Sequence, residues 1–144
     1  GNIVAPFAEQ KIVHSGKQAM PMEYDNSKKP FYSEAERVWS TPQDWTVNGI
    51  TTLTLFVQGR TSNTADQIYV ALEDKAGKMA VVVNPDATLV TKTEWTQWKI
   101  PLSGFAAVDT KAVKKIVVGV GNRTAPKAAG NGTVYIDDIR VIKP

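Results

Sequence analysis

The sequence predicts an all-β protein, folded as a two-sheet antiparallel β-sandwich of jelly-roll type. Three observations lead to this fold class: about eight short segments alternate apolar and polar residues, turn-forming residues separate them, and at most one helical turn is present. Hydrophobic residues at 42% and charged residues at 22% are ordinary for a globular chain. We therefore expect a single domain over residues 1–144, long enough to bury its own core.

The period of two places the predicted strands along the chain. Pro21 has no amide hydrogen, so the first strand is predicted at a sheet edge. Asp109 can cap one helical turn over 109–115. Glycines in the strand Ile116–Gly121 leave room for a close neighbour. The predicted strands cover residues 20–24, 32–40, 50–58, 68–73, 78–83, 95–102, 116–121 and the stretch from 132 onward.

The apolar phase of each strand predicts the core. Trp39, Trp45 and Trp98 are assigned to it because buried tryptophan is the common outcome, whereas Trp95 stays unassigned. The remaining core prediction consists of Met20, Met22, Tyr24, Leu53, Leu55, Val57, Val70, Leu72, Ile100, Val118 and Ile136.

The last strand breaks its own alternation. Val134 and Ile136 cannot share a face with Ile139 and Val141 unless the phase slips at Asp137-Asp138, which predicts a bulge or a ligand there. Aspartate is disfavoured inside strands. A Ca²⁺ ion bound by carboxylate and carbonyl oxygens would compensate for it, and a solvated strand end is the alternative.

Composition excludes several functional classes. The net charge is +3 and the basic residues are scattered, which is a poor footprint for nucleic acid. Zero cysteines and the single His14 exclude disulfides and make a zinc site unfavourable. No apolar run reaches membrane-spanning length, so we expect no membrane insertion.

No catalytic motif is found, and we predict that the domain is not an enzyme. Glu34 and Glu36 lie two apart on one strand face, where a glycosidase pair would approach. A solvated or sugar-facing acidic strip suits a chain of this length better.

The candidate ligand residues occupy the non-core phase of well-defined strands. Phe56 and Tyr69 could stack on a pyranose ring, and Glu36, Gln58 and Glu73 could bind its hydroxyls. These five residues are the predicted carbohydrate-binding face. Isolated surface aromatics are the alternative.

Several short motifs follow one another along the chain: 20–24 after a glycine turn, 42–45, 53–59, 98–105, 113–120 and 135–139. In this order they resemble the motifs of galactose-binding-like jelly rolls. The sequence is similar to family-11 carbohydrate-binding modules and looks like a domain common in exported proteins of planctomycete-type bacteria.

The resemblance implies a non-catalytic module that holds an attached or neighbouring enzyme on a polysaccharide, in a secreted or cell-surface protein with other domains. A structural or adhesive protein-interaction domain is the alternative. It also implies calcium at Asp137, for which we expect further ligands from backbone carbonyls near Ser15, Gly16 and Lys17. Related modules begin with one further acidic strand, so we expect the domain to come from a longer chain.

Overall fold

The computed structural model describes residues 19–143 and contains two four-stranded antiparallel sheets. Sheet I has the strand order β1-β8-β3-β6, and sheet II has the order β2-β7-β4-β5. The strands are β1 (Met20–Asp25), β2 (Tyr32–Gln43), β3 (Thr52–Gln58), β4 (Ile68–Asp74), β5 (Met79–Val83), β6 (Thr96–Pro101), β7 (Val113–Gly121) and β8 (Asn131–Ile142). This confirms the predicted two-sheet sandwich.

The core lies between the sheets and is built by one phase of every strand. All the predicted core residues belong to it: Met20 and Trp39 pack against it partly exposed, and the others are buried. Trp45 is 8% exposed and meets Trp39 edge to face, with ring centroids 5.9 Å apart. The alternation therefore identified the core correctly.

The predicted bulge in the last strand is confirmed. The pairing of β3 with β8 shifts between Thr54 and Phe56, which lie opposite Arg140 and Asp137. Asp138 has φ of 50°, a left-handed conformation that aspartate tolerates better than most residues. The extra residue places Val141 opposite the buried Leu53.

The predicted helical turn at 109–115 is wrong. Residues from Asp109 to Ala112 form a turn, in which Asp109 Oδ1 accepts the Lys111 N–H at 3.0 Å, and β7 begins at Val113. Pairing of β7 with both β2 and β4 outweighs the local cap signal.

Two buried asparagines fasten the loops at one end of the sandwich. Asn26 Nδ2 donates to Asp66 Oδ2 and to the Val120 carbonyl, each at 3.0 Å. Asn63 Nδ2 donates to the carbonyls of Val90 and Thr133 at 2.7 Å. Because buried amides without partners are costly, these contacts specify where the loops lie.

Candidate functional site

The outer face of sheet II gathers most of the candidate ligand chemistry. Three rows of side chains cross its strands in the order β2, β7, β4, β5. We call this surface the sheet II face; its rows are Glu34–Gly119–Tyr69–Val83, Glu36–Val117–Ala71–Val81 and Val38–Lys115–Glu73–Met79.

The first row carries a hydrogen-bonded cluster. Tyr69 Oη donates to Glu34 Oε1 at 2.7 Å, and Arg123 Nε donates to the same oxygen at 2.7 Å. The Arg123 guanidinium also lies 5.7 Å from the Tyr32 ring centroid. Burial, followed by the hydrogen bond to Glu34, raises the pKa of Tyr69 well above its ordinary value, so the phenol stays a donor.

The third row carries a second cluster centred on Lys115. Its Nζ lies 3.0 Å from Glu73 Oε2 and 3.6 Å from Glu36 Oε2. The hydrogen bond to Glu73 is the main cause that raises the pKa of Lys115, so the ammonium stays charged. Glu34 and Glu36 therefore each bind a cation, which is not the arrangement of a glycosidase acid pair.

An apolar floor separates the two clusters. Ala71 and Val117 face outward from the middle strands yet are 0% and 1% exposed, with Met79 and Val81 packed against them. Tyr69 lies over Gly119, where an added Cβ would collide with the ring. The predicted close neighbour of the β7 glycines is thus the Tyr69 ring at Gly119, and it is Tyr32 at Gly121. Because Ala71 and Val117 are almost fully covered, the accessible apolar surface between the clusters comes from the half-buried Met79 and Val81.

The five predicted sugar-binding residues do not share one face, so that expectation is wrong. Glu36, Tyr69 and Glu73 lie on the sheet II face, whereas Phe56 and Gln58 lie on the outer face of sheet I. The reason is that β3 and β4 follow each other in the chain but belong to different sheets. Tyr69 is also fully buried, which contradicts the expectation of an exposed ring.

Sequence reasoning missed several residues of the two clusters. Glu34 is predicted only as half of an acid pair or as part of an acidic strip, and Lys115 is predicted at the end of the helical turn over 109–115. The alternation of Lys115, Val117 and Gly119 was the signal for the outward phase of β7. Nothing in the sequence placed Arg123, because it comes from the loop after β7.

Of the residues predicted to bind calcium, Asp137 alone lies within the described residues 19–143. Asp137 Oδ1 accepts the Asp138 N–H at 2.7 Å, so this carboxylate partly caps its own bulge. Within residues 19–143, no three acidic, histidine or cysteine side chains form a metal-binding group. Gly16 and Lys17, like Ser15, lie outside the described residues. Calcium prefers six to eight oxygens, and these positions would have to supply several of them.

The fold and the sheet II face define the class of jelly-roll β-sandwich binding domains. Residues 5–143 match the model of carbohydrate binding domain 30. The chain therefore belongs to this family, and it is a carbohydrate-binding module; the structural or adhesive alternative is not favoured. No curated protein matches the chain.

Solved structures share the same fold at low identity. An exo-beta-agarase superposes with a TM-score of 0.75 at 15% identity, covering 95% of this chain and 22% of that one. The family 30 module of a cellulosomal cellulase of Clostridium thermocellum gives 0.68 at 15% identity, covering 94% and 80%. A family 11 module from Clostridium thermocellum, in complex with a beta-1,3-1,4-mixed-linked tetrasaccharide, gives 0.59 at 12% identity, covering 89% and 77%.

Over the part of the chain that the structure describes, no helix is long and apolar enough to cross a membrane.

Proposed function

We propose that the sheet II face is the glycan-binding surface and that it takes neutral polysaccharides. The carrying observation is the pair of charged clusters around an apolar floor, Glu34 with Arg123 and Glu36 with Lys115 and Glu73. Sugar rings present apolar faces and hydroxyl edges, and this surface offers the half-buried Met79 and Val81 beside the polar groups of the clusters. Hydrogen bonds to charged groups are about twice as strong as neutral ones.

The charge balance supports neutral over acidic glycans. The two clusters contain three carboxylates, Glu34, Glu36 and Glu73, against the cations Arg123 and Lys115. One negative charge therefore remains on the face, although the whole chain carries +3. A uronate or sulfate would approach an excess of carboxylate, whereas a hydroxyl can donate to it.

Affinity electrophoresis in gels containing a soluble polysaccharide tests this proposal. Mobility should fall in mixed-linkage β-glucan or in agarose, and it should not fall in alginate. Glu36→Gln combined with Glu73→Gln should weaken binding at least about tenfold, because charged acceptors are lost. Glu36 is exposed and Glu73 is half-buried, so both variants should fold.

Glu94→Gln is the matched control, since Glu94 is exposed in the loop before β6. It should bind as the parent does. Retardation by alginate, or unchanged affinity in the double variant, would contradict the sheet II assignment.

We further infer that this module is non-catalytic, exported, and joined to other domains that it holds on a polysaccharide. Support comes from the coverage values: a domain of this fold makes up 22% of an exo-beta-agarase. The related cellulase module is likewise a part of a larger enzyme. Release of reducing sugar by the purified domain would contradict the non-catalytic inference.

A further inference from the structure

A cavity opens between the two sheets, away from the sheet II face. It has a volume of about 230 Å³, and its wall combines inward side chains of both sheets. Leu53 and Ile116 are buried at its base, and Trp39 and Trp45 form one side. Arg37 and Arg140 complete the lining as its charged residues.

Two of the strands that border this cavity, β2 and β8, depart from regular pairing beside it. The register of β2 against β7 shifts between Val38 and Gln43, which flank Trp39. The bulge of β8 at Asp138 puts Ile139 in the inward phase of Val141, so that Ile139 lines the mouth of the cavity and is 42% exposed. Bulges often lie next to binding sites because they redirect side chains. Two such irregularities therefore shape one cavity.

The lining is unsuited to a sugar. Apart from the two guanidinium groups, its side chains are aliphatic or indole. A pyranose carries hydroxyls around its whole edge, and most of them would lose their hydrogen bonds to water without replacement. A planar aromatic ring has no such cost, and a cavity of about 150 Å³ already accepts benzene.

The charged side chains at the mouth of the cavity indicate which polar group the ligand carries. Arg140 binds Asp138 Oδ1 at 3.2 Å and keeps a side chain that is 66% exposed. Arg37 stacks 5.1 Å from the Trp39 ring centroid and takes part in none of the ion pairs among residues 19–143. The two guanidinium groups carry two positive charges, and Asp138 balances one of them. The remaining positive charge favours a ligand with a carboxylate.

We propose that this cavity binds a small aromatic carboxylate, with the ring against Trp39 and Trp45 and the carboxylate at Arg37. The site is separate from the glycan surface, so it stands or falls independently of the proposed function.

The test follows the indole N–H resonances of the four tryptophans while phenylacetate is added to isotope-labelled protein. The resonances of Trp39 and Trp45 should shift saturably. That of Trp98, which lies on β6 and is buried in the core between the sheets, should not shift. Phenylethanol has the ring without the charge, and acetate has the charge without the ring, so each should bind at least about tenfold more weakly.

Arg37→Gln should weaken phenylacetate binding about tenfold or more. Lys99→Gln, which removes an exposed charge from β6, should leave it unchanged. Val141→Phe fills the cavity and should abolish the shifts in a protein that still melts cooperatively.

Any of four results would overturn the assignment. These are no saturable shift at millimolar phenylacetate, equal affinity for phenylethanol, full affinity in Arg37→Gln, or shifts of Trp39 caused by a neutral oligosaccharide or by protein concentration alone. The last two causes would identify a sugar subsite or a contact between two copies of the chain.

Discussion

The two outer faces of this sandwich carry similar residue types but organise them differently. On the sheet II face, Glu34 and Lys115 each belong to an ionic cluster beside an apolar floor. On the outer face of sheet I, Arg60 donates to the Tyr135 hydroxyl and lies 5.3 Å from its ring, while Gln58 Nε2 donates to the Thr93 carbonyl at 2.5 Å.

The difference teaches what alternation can and cannot decide. Phe56 and Tyr69 occupy the same non-core phase of strands that are consecutive in the chain, yet they lie on opposite sides of the molecule. Phe56 is half-buried, whereas the Tyr69 ring is 0% exposed over Gly119. A side chain that points away from the core is therefore not always a surface residue.

The largest expected effect separates these two rings. Tyr69→Ala should lower the free energy of unfolding by about 3–5 kcal/mol, because it removes a fully buried aromatic ring. Phe56→Ala should cost less than half as much, since part of its ring already meets solvent. Urea denaturation monitored by circular dichroism measures both, and equal losses would contradict the contrast drawn between the two faces.

A smaller effect concerns the anchoring of sheet II at the end of β4. Asp74 Oδ1 accepts the N–H groups of Ala76 and Lys78 at 2.9 and 3.1 Å, and Oδ2 accepts that of Asp109 at 2.9 Å. The bond from Asp109 is the main cause that holds the pKa of Asp74 below its ordinary value.

The depressed pKa fixes the sign of the pH dependence. The stabilisation is complete above the unfolded pKa of about 3.9 and is lost as the pH falls through the lower folded value. Melting temperatures of the parent should therefore drop on acidification below about pH 4, and those of Asp74→Asn should start lower and drop less. Glu94→Gln serves as the control and should follow the parent; parallel curves for Asp74→Asn would refute the role of this carboxylate.

The smallest expected effect would sharpen the description of sheet I. If Asp137 helps to bind calcium, free calcium at a concentration equal to Kd should stabilise the folded protein by about 0.4 kcal/mol. Thermal unfolding with calcium at that concentration and then with chelator measures this difference, and excess calcium should increase it. Asp137→Asn should abolish it. Identical midpoints for the parent protein would leave the carboxylate as a solvated strand residue.

The sequence by itself determined the fold class, the core and the bulge at Asp137-Asp138. Each depends on periodicity within one strand, since burial of one face is encoded by every second residue. The motif order likewise carried the resemblance to carbohydrate-binding modules, which the family match bears out. These features need no knowledge of which strands become neighbours.

Only the tertiary structure decided which candidate residues meet. Strands β3 and β4 are consecutive yet join different sheets, so Phe56 and Gln58 were separated from Tyr69 and Glu73. Arg123 reached Glu34 across 89 positions of sequence, a contact that no local pattern contains. Local alternation specifies the face of a strand, whereas the pairing of distant strands creates the surface, because long-range contacts arise only when the chain closes on itself.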